Sequence, residues 1–132
     1  MKGLDTNVLV RYITQDDPLQ SAVANDVIER LTQNQERFVI QPVVLCELVW
    51  VLESAYKYAK TEIVLVLNQL LRTVQFEITE KDIVWQAFGD FQSGKADFSD
   101  YLIGRANERA GADVTLTFDK SLRDSHKFQV LQ

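Results

Sequence analysis

The chain is poor in the residues that carry several common chemistries: it has one cysteine, one histidine and two prolines among 132 residues. Cys46 alone closes no internal disulfide and builds no cysteine-rich metal site. His126 alone gives no histidine pair for metal-free acid–base catalysis. With five glycines and two prolines there are no linkers or low-complexity tracts, and the elements are expected to follow one another tightly. No apolar run approaches the ~20 residues that span a bilayer. The start, MKGLDTN, has no signal-peptide pattern, so a cytoplasmic protein without membrane attachment is expected. Basic residues are outnumbered 14 to 19, giving a net charge of −5. That balance argues against broad electrostatic adhesion to nucleic acid and leaves room for an acidic site that holds a cation. The length suits one domain over residues 1–132 with a sizeable core.

What is present is an alternation of short strands and helices. Lys2–Leu4 reads as a strand ending at Asp5, and Asn7–Thr14 as a short helix. In DDPLQSAVANDVIERL, Asp17 is an N-cap and Pro18 occupies the first helical position. Leu19, Ala22, Val23, Val27 and Leu31 follow a helical period there. Phe38–Gln41 reads as a strand, residues 42–58 as a nearly all-apolar helix, and residues 61–71 as another helix opened by Thr61 and Glu62. A strand over 74–78 is followed by a helix marked by Val84, Ala87, Phe88 and Phe91 and stopped near Gly94. Ser99–Ala110 is a helix before Gly111, and 114–117 and 128–131 are strands. Such alternation predicts an α/β fold with a mainly parallel sheet. In these sheets ligands bind beyond the carboxyl ends of the strands, which is where Asp5 and Asp119 fall.

One residue contradicts its surroundings. VVLCELVWVL, residues 43–52, holds nine apolar residues and Glu47. In a helix the neighbours of Glu47 are Val43, Val44, Trp50 and Val51. A carboxylate buried without partners costs several kcal/mol or gives up its charge, in rough terms. Either that face is not buried, or a cation stands opposite.

Asp5, Glu47, Asp100 and Asp119, with Asp97 as a fifth, form the candidate constellation. Several oxygen donors without cysteine or histidine suit a hard cation, Mg²⁺ or Mn²⁺. Asp100 lies in the first turn of its helix, where the dipole favours an ionised carboxylate, and Gly104 one turn on leaves space beside it. Each acid also has a structural reading: Asp5 as a strand-end turn or cap, Asp97 and Asp100 as a capping box, Asp119 as the cap of a following turn. Cys46 suits a small core residue, and Trp50 and Trp85 suit core or interface.

The ordered blocks GLDTNVLVRY, CELVWVL, DFSDYLIGRANERAG and TLTFDKSL, closing on F-x-V-L, resemble PIN-domain ribonucleases, and within them the VapC-type toxins of bacterial toxin–antitoxin pairs. The resemblance covers essentially the whole chain. It implies a small three-layer α/β/α sandwich with a short, mainly parallel central sheet. It also implies a divalent-metal site on Asp5, Glu47, Asp100 and Asp119, with Asp97 a less secure member, and Thr6 and Thr117 at polar positions lining the pocket. The family further implies a structured RNA substrate, often a tRNA, and a cognate VapB-like antitoxin. The many apolar residues of 42–58 and 61–71 add the expectation of a homodimer interface or an antitoxin groove, with Trp50 or Tyr56 near its centre. Arg11, Lys95, Lys120, Arg123 and Lys127 are candidate phosphate contacts. Two other readings stand beside this one: a non-enzymatic PIN-like interaction module, and a strand-end-Asp phosphatase or phosphotransfer domain.

Overall fold

The computed structural model describes residues 1–132, which form two compact units, Met1–Thr79 and Glu80–Gln132. The first holds β1 (Lys2–Gly3), α1 (Thr6–Thr14), α2 (Pro18–Gln33), β2 (Phe38–Ile40), α3 (Pro42–Ser54), α4 (Lys60–Arg72) and β3 (Phe76–Ile78). Its strands make a three-stranded parallel sheet in the order β1-β2-β3, with Lys2 opposite Phe38 and Phe38 opposite Phe76. Phe38, Ile40, Leu9, Leu45, Leu48, Leu52, Ile63 and Leu67 are shut off from solvent and form the core of this unit. Because every strand is parallel, β1 and β2 both end at the same edge. Asp5 follows β1 there, and α3 rises directly from β2.

Asp17 and Pro18 start α2 as expected, with the Asp17 carboxylate accepting from the Gln20 N–H at 3.0 Å. The buried face of α2 is not the row that begins with Leu19 and Val23. Leu19 and Val23 are 81% and 64% exposed, whereas Ser21, Ala24 and Ile28 are buried. A hydrogen bond decides this: the Ser21 hydroxyl donates to the Arg11 carbonyl at 2.8 Å and turns the small-residue row toward α1. The next helix, α3, ends at Ser54 rather than Tyr58. Lys57 takes a left-handed conformation at φ 58°. The hydroxyl of Tyr56 is drawn to Asp16 at 2.7 Å and to the Arg11 guanidinium at 3.0 Å, so the chain leaves the helix to make both bonds. Helix α4 begins one residue before Thr61, and its Glu62 carboxylate accepts from the Ala59 N–H at 2.9 Å.

The second unit holds α5 (Lys81–Ser93), α6 (Phe98–Arg109), β4 (Thr115–Thr117), a 3₁₀ turn (Lys120–Leu122) and β5 (Phe128–Val130). Strands β4 and β5 pair in parallel, so the strands lie in two parallel sheets rather than one. Val84, Ala87, Phe88 and Phe91 are all buried, as their spacing predicts. Phe91 meets Phe98 edge-to-face, and Arg105 grips Asp90 through two bonds of 2.7 and 2.8 Å. Gly111, at φ 103°, ends α6 as a left-handed residue just beyond its cap.

Gly104 has a different purpose from the one its position beside Asp100 suggests. A Cβ there would lie 2.7 Å from the Phe128 ring, so the missing side chain seats β5 against α6 and opens no space for a ligand. Gly104→Ala is therefore expected to cost about 1–3 kcal/mol of stability through overpacking. Thermal denaturation checks this: the single variant should melt lower, and adding Phe128→Leu should recover part of the loss.

Candidate metal centre

Asp5 is the N-cap of α1. Its carboxylate accepts from the Thr6 N–H at 2.5 Å, and its carbonyl accepts the Leu9 N–H. The cap reading is thus correct for its geometry, yet the side chain remains exposed and has a second oxygen to offer. Thr6 is nearly buried, and its hydroxyl donates to Glu47 Oε1 at 2.7 Å. One residue therefore positions two acids: its N–H orients Asp5 and its hydroxyl orients Glu47.

The structure resolves the contradiction around Glu47 in favour of an open face. Helix α3 buries Val44, Leu45, Leu48, Val49 and Leu52, and turns Val43, Glu47 and Trp50 outward. Trp50 is 70% exposed and Val43 63%, so the stripe that carries Glu47 is apolar and still outside. Cys46, beside it, is inert: burial, with the Glu47 charge adding to it, pushes its thiol up to about 11.

In the second unit, Asp97 is the N-cap of α6, but its side chain makes no cap bond. The reciprocal half of the box is formed instead, with Asp100 Oδ2 accepting from the Asp97 N–H at 3.1 Å. Burial raises the Asp100 carboxyl above its usual 3.8; the negative charges of Asp97 and Asp119 add to this, and the Asp97 N–H opposes it. Asp119 behaves in the opposite way. Its Oδ1 accepts from the Ser121 hydroxyl at 2.6 Å and from the Ser121 N–H at 2.9 Å, and both hold its carboxyl below the usual range. The Thr117 hydroxyl oxygen accepts the Asp119 N–H at 3.0 Å and fixes the exit from β4.

The basic side chains that form ion pairs do so with other acids. None of the ion pairs in the chain includes Asp5, Glu47, Asp97, Asp100 or Asp119. Arg11 is engaged by Asp16 and Tyr56, and Lys127 by Glu108, which removes both as ready phosphate contacts. Lys95, Lys120 and Arg123 make no ion pair. No group of three or more acid, histidine or cysteine side chains stands close enough to grip an ion as the side chains now lie. Within each unit the motif acids offer only oxygen, the donor type that hard cations take, and no protein cation pairs with them.

A family model described as PIN domain matches residues 3–126. The chain belongs to the PIN-domain family. Its α/β class with short parallel strands is that of the PIN fold. This PIN chain is also similar to the VapC ribonuclease of Aquifex aeolicus (strain VF5), at 24% identity over 123 residues, covering 93% of this chain and 90% of that protein. No helix is long and apolar enough to cross a membrane.

The opposed shifts of Asp100 and Asp119 predict opposite stability effects. A raised carboxyl binds its proton more tightly folded than unfolded, so Asp100 costs stability once pH rises past its folded value. Asp119, held low, contributes stability at neutral pH that is lost as pH falls through its folded value. Without added metal, Asp100→Asn should melt higher than the parent protein at pH 7, with the gain fading in acid. Asp119→Ala should melt lower at pH 7, with the deficit fading in acid. Melting curves across pH test both signs.

Proposed function

We propose that this chain is a divalent-metal-dependent endoribonuclease of the VapC type, working with Mg²⁺ or Mn²⁺. Its substrate is a structured RNA such as a tRNA, and a cognate VapB-like antitoxin silences it. Asp5, Glu47, Asp100 and Asp119 are assigned as the ligands and catalytic acids, with Asp97 as a further ligand, on a single PIN domain spanning residues 1–132. The observation that carries this reading is a PIN-family chain whose motif acids are held by hydroxyls and backbone N–H groups and by no cation. The similarity to a VapC ribonuclease supports the choice of RNA and of an antitoxin partner.

The chain's own groups divide the work. Thr6 fixes the rotamers of Asp5 and Glu47, which puts carboxylate oxygens at the carboxyl edge of the β1–β2 pair. Ser121 does the same for Asp119 at the end of β4. Asp100, the acid raised by its surroundings, gains most from a cation beside it. A bound divalent ion supplies neutralisation of the phosphate and a water of lowered pKa. The apolar residues left outside on α3, Val43 and Trp50, favour a homodimer. Tyr56 is occupied by Asp16 and Arg11 and is not assigned to that surface.

RNA incubated with the purified chain should be cut in Mg²⁺ or Mn²⁺ and left intact in EDTA, with 5′-phosphate and 3′-hydroxyl ends. Asp5→Asn should lower the rate by orders of magnitude, roughly 10²-fold or more, while keeping the fold. Thr6→Val, which deletes only the hydroxyl that holds Glu47, should lower it less. Cyclic 2′,3′-phosphate ends that persist in EDTA, or full activity in Asp5→Asn, contradict this reading.

A further inference from the structure

The second unit contains a cleft of about 350 Å³ between the end of α5, α6 and the segment joining β4 to β5. The size suits one nucleotide unit. Its walls carry five charged residues besides His126: Asp90, Lys95, Arg105, Asp124 and Lys127. Two of the cations are already neutralised, Arg105 by the bidentate grip on Asp90 and Lys127 by Glu108. Three groups remain without a side-chain partner: the Lys95 ammonium, the His126 imidazole and the Asp124 carboxylate. Ser121, whose hydroxyl and N–H hold Asp119, also lines this cleft, so it adjoins one of the assigned acids directly.

The mixture of charges decides what the cleft takes. A simple anion such as phosphate would gain from Lys95 and lose to Asp124. A ribonucleotide within a strand suits all three groups: phosphate for the ammonium, a base face for the imidazole ring, and a 2′-hydroxyl to donate to the carboxylate. The geometry points to this cleft as a subsite for one ribonucleotide of the RNA strand flanking the scissile bond, with Asp124 reading the 2′-hydroxyl and Lys95 the phosphate. This rests on the ribonuclease reading above. It adds a specificity residue, Asp124, that is neither a motif acid nor an assigned ligand.

Binding measured in EDTA, where no cleavage occurs, separates the subsite from the catalytic reading. The probe is a fluorescein-labelled single-stranded oligoribonucleotide of about twelve nucleotides, compared with the DNA of the same sequence. The full chain should bind the RNA several-fold more tightly than the DNA. Asp124→Asn should bring that ratio toward one. Lys95→Gln should weaken both, roughly five- to tenfold, and reduce the salt slope by about one phosphate contact. His126→Ala should weaken both without changing the slope. Inorganic phosphate should displace no more RNA than sodium chloride does at the same ionic strength. The subsite is overturned if the RNA does not bind, if the ratio ignores Asp124→Asn, if Lys95→Gln leaves affinity and slope unchanged, or if phosphate competes beyond its ionic strength. Should these shifts appear while total RNA is cut in neither Mg²⁺ nor Mn²⁺, the ribonuclease assignment fails and the ribonucleotide cleft stands.

Discussion

On the proposed reading, the chain must keep several carboxylates ionised and accessible without protein cations to balance them. A basic residue beside Asp5 or Asp100 would stabilise the fold, yet it would also occupy the position a metal or a phosphate needs. The structure meets this constraint with neutral donors. Thr6 serves Asp5 and Glu47, Ser121 serves Asp119, and the Asp97 N–H serves Asp100. These bonds fix rotamers while leaving the charge uncancelled. The arginines meanwhile pair with acids of structural use, as Arg105 does with Asp90.

The local architecture follows from the same requirement. Short parallel strands deliver Asp5 and the start of α3 to one edge of the first sheet, because parallel pairing aligns their carboxyl ends. Thr6, buried in the first turn of α1, donates its hydroxyl to Glu47 on α3. In the second unit burial first, and then the charges of Asp97 and Asp119, raise the Asp100 carboxyl, while Ser121 holds the Asp119 carboxyl low. On the proposed reading, a bound cation would relieve the raised Asp100 carboxyl.

Much of this was legible in the sequence. The caps at Asp17 and Asp97, the apolar period of α5 and the four motif blocks give the element order, the α/β class and the family. Faces were harder to read than elements. In α2 two apolar rows overlap, and the choice between them depends on the Ser21 bond to a carbonyl ten residues away. In α3 nearly every residue is apolar, so no periodicity marks Glu47 as exposed. Gly104 looked like room for a ligand because the ring that fills it, Phe128, comes from a strand remote in sequence. Ser121 was readable in principle: D-x-S at a strand exit is a local side-chain-to-backbone pattern. The split of Asp97 and Asp100 into an open acid and a capping acid was not, since both orders satisfy the same spacing.

The central claim is that these acids are a cation site awaiting charge rather than a set of helix caps. Calorimetric titration of the full chain with Mn²⁺, free of RNA, addresses it most directly. The account predicts saturable binding that Asp5→Asn and Asp100→Asn each weaken by about tenfold or more, while Asp17→Asn, which alters a cap of the same kind, leaves it unchanged. Binding that is absent in the parent protein, or equally strong in all three variants, contradicts it.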